Sequence, residues 1–149
     1  MHSKPERKTK LVPKIAMVDE YMIRLLIGLV AISIPFFPRY LANVPITSIS
    51  ASYHVGGWPR DIFVGSLYVI FALLLSYNGR SLSQMIHSKI AAVAALCVAM
   101  FPCNCDGHAE IIPNFHGISA CIMFLILVYF CWEFFCSARS KKNSKTNKW

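Results

Sequence analysis

Ser50, His54 and Asp61 fall in one stretch of the sequence, and Cys103, Cys105, Asp106, His108, Glu110 and His116 in another. Cysteine, histidine and carboxylates are the common metal ligands. If the segment from Ser50 to His54 is helical, its four-residue spacing puts hydroxyl and imidazole on one face, one turn apart. His54 and His116 with one further ligand would leave a coordination position open for water. An open zinc site of that kind lowers the pKa of bound water to about 7 and makes hydroxide available for hydrolysis. Asp61 is then placed to act as general base or ligand. Ser50 is placed to donate to the metal-bound water or to a developing oxyanion.

The same residues have plainer uses. A histidine at a membrane edge often serves only as a hydrogen-bonding residue. Asp61 suits a helix N-terminus, where the macrodipole favours a carboxylate, and can pair with Arg60. His108 between Asp106 and Glu110 fits a solvated turn. Ser50 fits a hydroxyl bonded to backbone. Cys97, Cys121, Cys131 and Cys136 lie in apolar segments and behave as small hydrophobes. A Cys-x-Cys bridge closes a small ring, so Cys103 and Cys105 are expected as thiols, as metal ligands or bridged elsewhere. Together with His108 and His116 they form a second metal set, suited to copper or zinc.

The elements that must position these residues are apolar. In 149 residues the hydrophobic content is 56% and the mean hydropathy is +0.50, which excludes an ordinary soluble domain. Spans are expected at about Tyr21 to Phe37, Ile62 to Tyr77, Ile90 to Phe101 and Ile118 to Cys136. The third is short and must borrow residues from about Met85. The first lacks a small-residue cleavage pattern after it and is read as retained.

Lys and Arg resist translocation. Lys4, Arg7, Lys8, Lys10 and Lys14 precede the first span, and Arg139, Lys141, Lys142, Lys145 and Lys148 follow the last. Arg80 and Lys89 lie in or beside the second connection, whereas the third, Pro102 to Asn114, has neither residue type. The expectation is an all-α integral membrane protein, a four-helix transmembrane bundle with both termini cytoplasmic. Residues 1–16 and 137–149 form basic cytoplasmic tails flanking a four-span domain at 17–136. These tails explain most of the net charge of +8, so no nucleic-acid partner is implied.

Within the spans, Arg24 and Glu133 sit at similar depth, so Arg24 either snorkels to the headgroups or pairs with Glu133. Gly28 is expected to allow close helix packing and Pro35 a bend. The long connection from Pro38 to Arg60 is moderately apolar in its middle. It suits a short helix or re-entrant piece shielded by neighbouring spans.

Ser48-Ile49-Ser50-Ala51-Ser52-Tyr53-His54, followed by Arg60-Asp61-Ile62-Phe63-Val64-Gly65, resembles a group of small multi-pass bacterial membrane proteins. Ala99-Met100-Phe101-Pro102 and His116 at the head of an apolar span extend the likeness, which covers about Ile46 to Phe130. It implies a bacterial inner (cytoplasmic) membrane location and no particular activity. A fainter, partial likeness is to the alkaline ceramidase and progestin-receptor superfamily of membrane metal hydrolases. Ser50 and His54 match its Ser-x3-His motif and Asp61 its following aspartate. The late His-x3-His is broken, because Ala120 follows His116 at that spacing, and the superfamily has seven spans. This resemblance implies metal-assisted hydrolysis, with His108 as the substitute ligand.

Three functions follow. The first is a zinc-dependent hydrolase cleaving a lipid-like amide or ester at the outer face, with His54, His116 and His108 as metal ligands and Asp61 and Ser50 as catalytic residues. The second is a metal-binding or redox membrane protein built on Cys103, Cys105, His108 and His116. The third is a non-catalytic accessory subunit docking a membrane-protein partner or a second copy of itself.

Overall fold

Small residues let membrane helices touch, and one of the long helices is built around them. The computed structural model describes residues 20–105 and 107–146. The residues Lys4 to Lys14, Lys148 and Asp106, on which parts of the sequence reading rest, lie outside the described residues. The chain forms α1 (Glu20–Ser33), α2 (Phe37–Leu41), α3 (Ser52–Val55), α4 (Gly57–Ser76), α5 (Leu82–Met100) and α6 (Phe115–Thr146), and no strand occurs among the described residues.

Helix α5 is the centre of the bundle. Its Ala91, Ala92, Ala94, Ala95 and Ala99 are all buried, so α4 and α6 pack directly against it. From α4 come Phe63, Leu67, Ile70 and Leu74, and from α6 come Met123, Ile126 and Phe130. Helix α1 leans on α4 through Ile23.

Among the described residues four segments are long and apolar enough to cross a membrane: Tyr21–Leu41, Gly57–Ser76, Leu82–Met100 and Phe115–Arg139. The second therefore begins before Ile62 and the third before Met85. Leu29, Ile32, Leu125 and Val128 are each more than half exposed on the outer helices. Apolar faces of this extent need hydrocarbon around them. The protein is an integral, multi-pass helical membrane protein.

The first span is interrupted where expected. Pro35 has no N–H to give to the turn before it, and the backbone turns between Ser33 and Phe37 before α2 begins. Gly28 does not make the close helix contact expected of it, for no atom lies within 4 Å of where its Cβ would stand. It faces a cleft instead. Helix α6 runs on past residue 136 to Thr146.

Only Gly56 separates α3 from α4, and the chain turns there through Gly56 (φ +75°, ψ −176°) and Gly57 (φ +55°). Gly56 occupies a region essentially closed to residues bearing a Cβ, which costs about 1–3 kcal/mol. Gly56→Ala is expected to lower stability by about that amount. Thermal unfolding in detergent, with Gly65→Ala as a control on the exposed face of α4, measures it.

Candidate functional site

Just past Met100, where α5 ends, the chain presents the backbone carbonyls of Phe101 and Cys103. Two histidines supply donors. His116, at the start of α6, lies 2.7 Å through Nδ1 from the Phe101 carbonyl and 3.1 Å through Nε2 from Ser50 Oγ. His54, in α3, lies 2.8 Å through Nε2 from the Cys103 carbonyl. A carbonyl only accepts, so these bonds fix the proton on His116 Nδ1 and on His54 Nε2. In the neutral ring His116 Nε2 then accepts the Ser50 hydroxyl proton. Each histidine ties the first long connection or α6 to the chain leaving α5.

The rest of this end follows the same pattern. Cys103 and Cys105 are joined to each other as a disulfide, contrary to the expectation from ring size. Ser48 Oγ lies 3.9 Å from Cys105 Sγ. His108 stacks flat on His54, with ring centroids 4.2 Å apart. Glu110 receives the backbone N–H of Asn104 at 3.2 Å and that of Asn114, folding the second connection onto itself. Asn114 adopts φ +60° as it leads into α6. Phe101 meets Phe115 edge to face at 4.7 Å.

The sequence reading thus gathered the right segments and misassigned their chemistry. Ser50, His54, His108, His116, Cys103 and Cys105 do gather at one end of the bundle. Asp61 does not join them: α4 begins at Gly57, so Asp61 stands in its second turn rather than at its cap. It pairs with Arg60 at 3.3 Å and is 61% exposed, in an outward hollow shared with Tyr53 and Tyr68. Ser50 and His54 also diverge, because tight turns connect Ser48 to His54 and send one side chain to His116 and the other to Cys103 O.

Among the described residues no group of three His, Cys, Asp or Glu side chains could hold a metal ion. That overturns the zinc site on His54, His116 and His108, the metal-dependent hydrolase built on it, and the metal or redox centre of Cys103, Cys105, His108 and His116. The physical reason is local. Both nitrogens of His116 are already engaged, the two sulfurs bond each other, Glu110 holds backbone amides, and Asp61 points elsewhere.

A second polar cluster occupies the opposite end, where α1 begins and α6 completes its span. Arg24 donates to Tyr77 Oη at 2.8 Å, with its guanidinium 4.3 Å from the Phe134 ring centroid. Tyr77 Oη lies 3.4 Å from Gln84 Oε1, and Gln84 Nε2 donates to Glu133 at 2.8 Å. Arg24 and Glu133 are therefore linked through Tyr77 and Gln84 rather than by a direct ion pair. The intramembrane charges pointed to this cluster, but nothing in the spacing pointed to Tyr77 and Gln84. They are brought in by the turn at Gly79 (φ +65°), where an added Cβ would stand 2.6 Å from Gln84 Cβ.

His116→Ala leaves the Phe101 carbonyl and the Ser50 hydroxyl without their ring partner. The expected cost is about 1–3 kcal/mol of stability. A chelator is expected to leave the unfolding temperature of the wild type unchanged, and detergent-based thermal unfolding with and without chelator checks both. No protein-family model matches this chain, and neither the curated proteins nor the solved structures yield a match.

Proposed function

We propose that this protein is a non-catalytic accessory subunit of a membrane assembly, with the loop end of the bundle as its docking platform. The observation that carries the reading is the use of both site histidines as donors to backbone carbonyls that join separate connections. Groups held in this way rigidify a surface and leave no ligand set for a metal. Around that end stand exposed apolar side chains: Tyr40 at 87%, Trp58 at 74% and Ile111 at 73%. Aromatic and aliphatic side chains presented from a rigid frame suit the interface with another membrane protein or with a second copy of this chain.

In this reading both tails lie on the cytoplasmic side and the platform on the other, an orientation supported by the basic residues that flank the first and last spans. A bacterial cytoplasmic membrane is the setting, as the likeness to small multi-pass bacterial proteins implies. The likeness to ceramidases contributes nothing to it.

A reporter fused after Trp149 is expected to stay cytoplasmic, and protease protection of the reporter in intact cells decides this. Photocrosslinking residues in place of Tyr40 and Trp58 are expected to give one discrete protein adduct in native membranes, while a crosslinker at Val93 gives lipid adducts. Lipid adducts alone from all three positions would sink the docking role.

A further inference from the structure

The end opposite the platform carries two adjoining cavities that share Arg24 and Phe134. The inner one, about 220 Å³, is apolar and lies between α1 and α6, with Ile27, Gly28 and Ala31 on one side, Leu127 and Cys131 on the other, and Leu74 of α4 at its base. The outer one, about 470 Å³, is polar and holds Arg24, Arg80, Gln84, Glu133 and Ser137. Glu133 lies about 18 residues along α6 from Phe115, or roughly 27 Å at 1.5 Å per residue. The hydrocarbon is roughly 30 Å thick. The polar cavity therefore sits at headgroup depth and the apolar one runs inward from it, among acyl chains.

We propose that this pair of cavities is a binding site for one aminophospholipid, its ammonium on Glu133, its phosphate on Arg80 and Arg24, and one acyl chain in the cleft beside Gly28. Charge complementarity selects the occupant. Both signs line one cavity, and a zwitterionic headgroup presents both. The anchoring is built in advance: Gln84 holds one carboxylate oxygen of Glu133, and the buried Tyr77 holds Arg24 through its hydroxyl. With those side chains already ordered, binding loses little further side-chain freedom. Gly28 keeps the cleft open, since nothing stands within 4 Å of its missing Cβ. A glycine there has no packing partner to account for it, and an acyl chain supplies one.

The test is native mass spectrometry of the detergent-purified full chain against phosphatidylethanolamine, phosphatidylglycerol and phosphatidylcholine of identical acyl chains. One copy of phosphatidylethanolamine should be retained about tenfold more strongly than the other two, the worth of one charge-assisted hydrogen bond. Glu133→Gln should erase that preference, and Arg80→Gln should weaken retention of all three lipids. Gly28→Leu should fill the cleft and displace the lipid, with an unfolding temperature in lipid-free detergent equal to that of the wild type, so the result stands even where Glu133→Gln fails to fold. Equal retention of the three lipids, a preference for phosphatidylglycerol, or retention unchanged in Gly28→Leu would overturn the proposal.

Discussion

Backbone carbonyls at and just past the ends of helices are the constraint around which this protein is organised. In water they would be solvated; at the edge of a bilayer, packed among other helices, they need donors from the protein itself. Each of the two helices that turn within the bundle meets this need with side chains from elsewhere in the chain. At the end of α4 the Leu74 carbonyl receives the buried Ser88 hydroxyl at 2.5 Å, and Lys89 donates to the carbonyls of Leu75 and Tyr77. Just past the end of α5 the donors are His116, to the Phe101 carbonyl, and His54, to the Cys103 carbonyl. The first solution clamps a short hairpin, and the second ties two long connections together.

From this follows the character of the loop end. An imidazole that gives its proton to a carbonyl is fixed in tautomer and orientation. In a metal site the other nitrogen would face an ion, as the usual carbonyl–histidine–metal arrangement has it. In His116 the other nitrogen faces Ser50, so the chain of bonds ends on a hydroxyl. The disulfide between Cys103 and Cys105 and the stacking of His108 on His54 stiffen the same surface. The result is a closely cross-bonded frame.

Packing between the helices is uneven, and the unevenness has consequences. The alanine-lined α5 draws α4 and α6 close, whereas α1 meets the bundle through α4 and leaves a cleft between itself and α6. Small residues therefore serve opposite ends: Ala91 and Ala95 are fully enclosed, while Gly28 borders open space. At the mouth of that cleft the charges of Arg24 and Glu133 are kept apart by two neutral side chains.

Hydrophobic runs by themselves determined four spans, because a polar backbone in hydrocarbon must be helical and the length needed to cross is fixed by the bilayer. The same logic made the interruption at Pro35 legible, since proline lacks the donor, and the break at Gly56-Gly57, since only glycine accepts that backbone. That Ser50, His54, Cys103 and His116 lie at one end of an even-spanned bundle was legible too, since all belong to connections on that side; their convergence was permitted by the spacing and decided only by the fold. Their roles were not legible. Whether an imidazole nitrogen meets a metal, a hydroxyl or a carbonyl depends on differences of an ångström or two between segments some fifty residues apart, such as His54 and Cys103. Sequence spacing carries no such information. Likewise residue type marked Gly28 as small, but only the tertiary structure decided whether a helix or a cleft lay against it, because that depends on how closely α1 and α6 approach once α5 has drawn the others together.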